Sequence, residues 1–167
     1  MLDDDIKQQL SAYLERVKEP FEMVASLDDG GKSKEMRELL ELVASLRPDM
    51  ITLRTDGSDA RKPSFTLARP GSGTQLRFAA IPMGHEFTSL ILALLWTGGH
   101  PPKVEADTLE QAKALDADLD FEVYMSLSCH NCPDVVQALS LLAIFNPRIR
   151  TTIIDGGMYQ GEIEARE

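Results

Sequence analysis

Two cysteines, Cys129 and Cys132, are the residues best suited to chemistry in this chain. They are its only cysteines, and just His130 and Asn131 separate them. Two thiols at this spacing can exchange with a disulfide: one thiolate attacks it, and the other resolves the mixed disulfide that forms. The same pair could instead supply two ligands to a zinc ion. The segment is predicted to be a thiol–disulfide redox centre, with zinc binding as the alternative.

The segments on either side of the cysteines favour redox chemistry. Apolar residues at 123–127 predict a strand, and the apolar periodicity of 133–145 predicts a helix. A strand, a C-x-x-C sequence and a helix in this order are typical of a thioredoxin-like motif. A thiolate beside the first turn of a helix faces unpaired backbone N–H groups, which lower its pKa. We therefore predict that Cys129 attacks and that Cys132, closer to the helix, resolves.

Three residues next to the cysteines have less specific expected roles. Pro133 suits an early helical position, because no intrahelical partner exists there for the N–H group that proline lacks. Asp134 is expected to stabilise the first helical turn rather than to act as an acid or base. A protonated His130 could stabilise the thiolate, but a solvent-facing histidine is the simpler expectation.

A zinc site within one chain would need two ligands besides the cysteines. The chain has three histidines, at positions 85, 100 and 130, and His130 lies inside the cysteine pair. His85 and His100 would therefore both have to converge on the thiols. A c-type haem is excluded because Pro133 follows the second cysteine where histidine is required. Iron–sulfur clusters need more cysteines, unless subunits share one.

The composition argues against several classes of partner. The chain has 167 residues and a net charge of −10. Its content of 43% hydrophobic residues is ordinary for a globular protein. Nucleic-acid binding draws on clustered basic residues, so no nucleic-acid partner is expected. The longest apolar run, 90–96, is far shorter than the roughly 20 residues that cross a bilayer. The acidic N-terminus is unlike a secretory signal, and we expect a cytoplasmic protein without a membrane partner.

Apolar periodicities predict a repeated order of elements across the whole chain. The first part is predicted to read α-β-α-β-β-β-α, with elements at 4–17, 21–27, 33–46, 50–55, 63–68, 76–81 and 85–97. The strands at 63–68 and 76–81 are expected to form a hairpin around a turn at 70–73. A linker at 100–103 then precedes elements at 105–117 (α), 121–127 (β), 133–145 (α) and 149–154 (β). Leu115 is expected to face inward from the first of these helices.

Longer stretches of sequence resemble a known family. Residues 84–90, 93–101, 126–139, 146–149 and 154–157 closely resemble the N-terminal part of the flavoprotein component, the F subunit, of bacterial alkyl hydroperoxide reductase. The resemblance covers nearly the whole chain and implies an α/β class with two tandem thioredoxin/glutaredoxin-like folds. Residues 1–100 would form a cysteine-free fold, and residues 101–167 a second fold, apparently truncated at its C-terminus, that carries the C-x-x-C sequence.

The resemblance also implies a function. In the family this module takes electrons from a flavin domain reduced by NAD(P)H and passes them to the disulfide of a peroxiredoxin. The redox pair of the family matches Cys129 and Cys132, and Glu86 would lie near that disulfide, where a carboxylate could tune a thiol pKa or move protons. Glu86 could equally be a helix-start residue that favours the dipole. The Lys62-Pro63 peptide resembles the cis-proline loop of thioredoxin folds.

Two departures from the family limit the expected activity. No G-x-G-x-x-G sequence is present, so this segment should bind no cofactor, and FAD and NAD(P)H are implied only for the full-length family member. The residues that would complete the second fold are also absent, which indicates a fragment or a natural truncation. The flavin domain would be part of the same protein or separate from it, and a homodimer is expected only for the full-length protein. A glutaredoxin-like disulfide reductase and a non-enzymatic zinc-binding module remain alternatives.

Overall fold

The helices and strands follow the predicted order as far as β6, and the α/β class is confirmed. The computed structural model describes residues 4–69, 75–129 and 131–166. Its helices are α1 (Asp4–Leu14), α2 (Gly31–Leu46), α3 (Phe87–Thr97), α4 (Ala106–Ala114), α5 (Cys132–Phe145) and α6 (Gln160–Arg166), and a 3-10 turn, Gly84–Glu86, precedes α3. Its strands are β1 (Phe21–Ser26), β2 (Ile51–Arg54), β3 (Ser64–Ala68), β4 (Gln75–Ala79), β5 (Leu119–Met125) and β6 (Ile149–Asp155).

All six strands belong to one sheet of order β2-β1-β3-β4-β6-β5. β1 pairs parallel with β2 and antiparallel with β3, and β3 and β4 form the predicted antiparallel hairpin. The turn predicted at 70–73 lies outside the described residues. β6 pairs parallel with both β4 and β5, so the sheet is continuous between the two halves of the chain.

The helices bury the apolar face of this sheet. Alternate strand residues and the apolar sides of α1, α2, α3 and α5 form a single core, which includes Leu10, Met36, Phe65, Phe78, Leu90, Val136 and Ile153. Phe65 and Phe78 stack across the β3–β4 pair with ring centroids 5.2 Å apart. In α3, the apolar run 90–96 is buried at every position except Leu92.

Contacts from the loop before β3 tie the two halves together. The Lys62-Pro63 peptide is cis, as the family resemblance implied. The hydroxyl of Tyr159, in the second half, donates to the carbonyl oxygen of Pro63 at 2.8 Å. Arg61 donates to both Glu122 and Glu162, each at 2.8 Å at the closest approach. Burial raises the pKa of Tyr159 to about 12.

Two local predictions differ from the structure. Leu115 was expected to face inward, but 42% of it is exposed, because α4 ends at Ala114 and the backbone is extended at Leu115. Helix α6 was not predicted; it is short and its periodicity is weak. Across the described ranges, no helix is both long and apolar enough to span a membrane.

Candidate redox site

The cysteines lie where β5 gives way to α5. β5 ends at Met125, and the backbone N–H of Cys129 donates to the carbonyl oxygen of Ser126 at 3.0 Å to close the turn. The side chains of Ser126 and Ser128 contact each other at 3.0 Å within this turn. α5 begins at Cys132, and Pro133 occupies its first turn. The turn therefore holds Cys129 just outside the helix and Cys132 at its first position.

Cys129 and Cys132 form a disulfide with their Cα atoms 5.5 Å apart. The backbone N–H of Cys132 donates to the Sγ atom of Cys129 at 3.2 Å, so an N–H group at the helix N-terminus points at that sulfur. Both cysteines are half-buried, and the side chain of Cys132 packs against the hydrophobic core. On reduction, the same N–H group and the helix dipole would stabilise a thiolate on Cys129.

The 3-10 turn of the first half touches the loop that leads to the disulfide. The backbone N–H of His85 donates to the carbonyl oxygen of Leu127 at 3.1 Å. Gly84 has a φ of +58°, and a Cβ atom there would lie 3.1 Å from the same carbonyl oxygen. This close approach and the positive φ both favour glycine at position 84.

Glu86, in the same turn, is completely buried. Its Oε1 atom accepts a hydrogen bond of 2.7 Å from the hydroxyl of Ser89, whereas Oε2 has no hydrogen-bond partner among the described residues. Burial raises the pKa of Glu86, because desolvation penalises the carboxylate more than Ser89 and the nearby His85 stabilise it. Glu86 is thus a carboxyl group that can take up a proton more readily than an exposed one.

A side chain from the redox helix reaches this carboxyl group through Ser89. The amide nitrogen of Gln137, on α5, donates to the Ser89 hydroxyl oxygen at 3.2 Å. Hydrogen bonds therefore run from α5 through Gln137 and Ser89 to Glu86. Neither Ser89 nor Gln137 was predicted from the sequence. The three-residue spacing of Glu86 and Ser89 is the only local signal, because Gln137 is distant in the chain.

Solved structures with a similar fold include a domain of a known reductase. The NTD_N/C domain of alkylhydroperoxide reductase AhpF from Enterococcus faecalis (V583) matches with a TM-score of 0.86 and 30% identity, over 99% of this chain and 86% of that one. The chain belongs to the family of this AhpF domain. A protein disulfide oxidoreductase from Aeropyrum pernix, with 21% identity and a TM-score of 0.76, shares the fold.

Curated sequences agree with this membership of the AhpF family. The F subunit of alkyl hydroperoxide reductase in Pseudomonas aeruginosa is 62% identical over 167 residues, and that of Escherichia coli is 56% identical over 167 residues. The chain spans about a third of the length of these relatives, 32% in each case. No family model matches it. Membership identifies the chain as a module of AhpF-type proteins with a thioredoxin-like fold.

The residues considered for a metal are less well placed than the redox pair. Within residues 4–69, 75–129 and 131–166, no three His, Cys, Asp or Glu side chains are grouped so as to hold a metal ion. His85 is in the 3-10 turn, and His100 follows α3. His130 lies outside the described residues. Asp134 is in the first turn of α5, where an acidic residue favours the helix dipole.

Proposed function

We propose that this chain is a thiol–disulfide electron relay. It receives two electrons from a flavin-dependent, NAD(P)H-oxidising domain and passes them to the disulfide of a peroxiredoxin that reduces alkyl hydroperoxides. The hydrogen bond from the N–H of Cys132 to the sulfur of Cys129 carries the proposal, because it stabilises a thiolate on the outer cysteine.

The proposed transfer of two electrons takes place in two successive thiol–disulfide exchanges. The Cys129 thiolate attacks one sulfur of the partner disulfide, forming a mixed disulfide and releasing one partner thiolate. The Cys132 thiolate then attacks the Cys129 sulfur, which releases the second partner thiolate and restores the Cys129–Cys132 disulfide. Two electrons pass to the partner, and two protons reach its thiolates. The flavin domain would then reduce the disulfide again.

Glu86 is proposed to assist the proton movements of these steps. Its buried carboxyl group, with a raised pKa, can hold a proton under conditions in which an exposed glutamate is ionised. The hydrogen bond from the His85 N–H to the Leu127 carbonyl oxygen supports this role, because it joins the turn that carries Glu86 to the redox loop. Glu86 would act on the thiols through this arrangement, with Ser89 fixing one of its carboxyl oxygens.

The wider setting follows from the family. FAD and NAD(P)H would be bound by the remainder of the full-length protein or by a separate flavin protein, and this segment would bind neither. We propose a cytoplasmic location and a division into a cysteine-free unit at 1–100 and a redox unit at 101–167. A homodimer is expected only for the full-length protein.

Equilibration of the chain in graded dithiothreitol buffers tests the relay. Thiol-labelling mass spectrometry should show one reversible two-thiol transition between about −200 and −270 mV, the range of thioredoxins and glutaredoxins. The same samples should contain no stoichiometric zinc. Stoichiometric zinc, or cysteines that do not pair reversibly, would contradict the relay and favour the zinc-binding module.

A trapping experiment tests the nature of the partner. Without a resolving thiol, the Cys132→Ser variant should accumulate a mixed disulfide through Cys129 with an oxidised peroxiredoxin. The Cys129→Ser variant is the matched control and should trap little. Equal trapping by both variants would contradict the assigned order of attack. Faster reaction of the wild-type chain with glutathione mixed disulfides than with the peroxiredoxin would favour a glutaredoxin-like reductase.

A further inference from the structure

A large apolar cleft opens among the helices, separate from the disulfide. It has a volume of about 590 Å³ and is lined by residues of α1, α3, α4, α5 and the segment between α3 and α4. Its apolar wall comes mostly from α3 and includes Phe87, Ile91, Leu92, Leu95, Trp96 and Leu141. Its volume is within the usual range of small-molecule sites.

Apolar side chains also remain exposed at this cleft. Tyr13 and Val104, which both line it, are each 40% exposed. Most large apolar residues of the described chain are buried, so exposed ones at the edge of an apolar cleft mark a surface suited to an apolar ligand.

The charge around the cleft is opposite to that of the chain. The chain has 27 acidic and 17 basic residues, yet the described residues that line the cleft include Arg16 and Lys103 and neither aspartate nor glutamate. The Arg16 guanidinium lies 5.7 Å from the centre of the Tyr13 ring, which keeps this cation at the edge of the cleft. Neither Arg16 nor Lys103 forms an ion pair with a described residue.

His100, which also lines the cleft, has a pKa below its ordinary value. Burial lowers its pKa most, and the nearby Arg16, Lys18 and Lys103 lower it further. His100 is therefore mainly neutral at pH 7, and the positive charge at the cleft belongs to Arg16 and Lys103. Arg16 and Lys103 are exposed at the edge of the cleft, where an anionic head group could pair with both of them.

We propose that this cleft binds an amphipathic anion, an unbranched alkyl carboxylate. Its chain lies along the apolar wall of α3, and its carboxylate pairs with Arg16 and Lys103. The site lies outside the dithiol chemistry, so the proposal does not depend on the electron-relay function.

Fluorescence of Trp96 provides a direct test, because it is the only tryptophan of the chain and it lines the cleft. The 167-residue chain is suitable for this test, since the related Enterococcus faecalis domain was crystallised as a separate domain. Titration with sodium dodecanoate, below the concentration at which it forms micelles, should produce a saturable change in the Trp96 emission. Dodecyltrimethylammonium has the same chain length but the opposite charge, and it should bind at least about tenfold more weakly.

A double variant tests the two cations. Arg16→Gln with Lys103→Gln should weaken dodecanoate binding by about tenfold, because both counter-charges are removed. The matched control, Lys34→Gln with Arg37→Gln, removes one lysine and one arginine from exposed positions on α2 and should leave binding unchanged. All four positions are exposed, and circular dichroism should confirm that both variants fold.

Three outcomes would overturn the proposal. The first is no saturable emission change with dodecanoate. The second is equal binding of the anionic and cationic amphiphiles, or no loss in the Arg16 and Lys103 double variant. The third is a dimer, detected by sedimentation equilibrium, that does not bind dodecanoate and whose dissociation changes the Trp96 emission. A second copy of the chain would then occupy the cleft.

Discussion

The turn after β1 and the turn after β5 precede corresponding helices in the repeated order, yet they present different acceptors to those helices. After β1, the carboxylate of Asp28 accepts hydrogen bonds from the Gly30 N–H at 2.9 Å and the Ser33 hydroxyl at 2.7 Å. After β5, the sulfur of Cys129 accepts one from the Cys132 N–H at 3.2 Å. Both helices therefore begin beside an acceptor that is, or can become, an anion.

The difference between these acceptors separates a structural role from a chemical one. Hydrogen bonds from Ser33, and then from Gly30, lower the pKa of Asp28, so its charge is permanent at neutral pH. The sulfur of Cys129 gains its charge only on reduction, and the helix then stabilises that state. One electrostatic arrangement therefore supports folding when its anion is permanent, and redox chemistry when its anion forms only on reduction.

Replacing the Cys129 sulfur with a carboxylate like that of Asp28 should have the largest effect on disulfide exchange. In a Cys129→Asp variant, a permanent carboxylate would face the N-terminus of α5, as Asp28 faces that of α2. We expect disulfide exchange with a model disulfide to fall by at least about 1,000-fold, because the attacking thiol is gone. Stopped-flow measurement of thiol release checks this.

The stability of the same variant tests whether the two turns are electrostatically equivalent. Urea unfolding of Cys129→Asp should show it to be at least as stable as a Cys129→Ser control, because the carboxylate favours the helix dipole. A Cys129→Asp variant less stable than Cys129→Ser would mean that the two turns are not electrostatically equivalent.

A second variant tests the contact that only the redox turn makes with the 3-10 turn. Gly84→Ala should destabilise the chain by about 1–2 kcal/mol, because alanine is strained at positive φ and its Cβ would crowd the Leu127 carbonyl oxygen. Urea unfolding measures the loss. Gly31→Ala is the control, since a Cβ atom there meets nothing within 4 Å. Equal effects of the two substitutions would show that the contact is not a constraint.

Removing the hydroxyl at the first turn should have a smaller effect. Ser33→Ala should cost about 1 kcal/mol in chemical denaturation, because the buried Ser33 hydroxyl bonds both the Asp28 carboxylate and its N–H. Ser33 is the main cause of the low pKa of Asp28, so wild type should lose stability relative to the variant as pH falls below the ordinary value of 3.8. The redox potential should not change; a shift would link the first turn to the dithiol.

The smallest expected effect concerns Glu86. Its pKa is raised in the folded chain, so folding favours the protonated form, and that advantage is lost as pH rises from its ordinary value of 4.5 through the folded value. Relative to wild type, Glu86→Gln should therefore become more stable as pH increases. Thermal unfolding from pH 4 to 8 checks the trend, with the exposed Glu38→Gln as the control. A difference independent of pH would contradict the raised pKa.

Most of the fold was predictable because its elements carry strong local patterns. The apolar run of α3 and the alternating residues of β1 and β3 each reveal a buried face without knowledge of the rest. Helix α6 has no such pattern; Glu162, within it, bonds Arg61 from the other half of the chain. Leu115 was expected to face inward because helical periodicity does not show that α4 ends at Ala114, one residue before it.

The candidate site was predictable only in part, for a similar reason. Cys129 and Cys132 are close in sequence, and their spacing between a predicted strand and a predicted helix indicates redox chemistry. Glu86 emerged only from the family resemblance, since a single glutamate in sequence carries no signal of burial. Gln137 meets Ser89 through the packing of α3 on α5, so no local pattern predicts their hydrogen bond.

The pairing of β4 with β6 has a consequence for the order in which the chain folds. Ala79 of β4 pairs with Ile154 of β6, so the sheet cannot be completed until almost all the described residues are available. Such a distant contact is slow to form, because closing a long loop costs entropy before the pairing compensates for it. During synthesis from the N-terminus, the hairpin edge at β4 would await its neighbour, and the strand that follows the cysteine helix would close it late. The redox turn would therefore become fixed only near the end of folding.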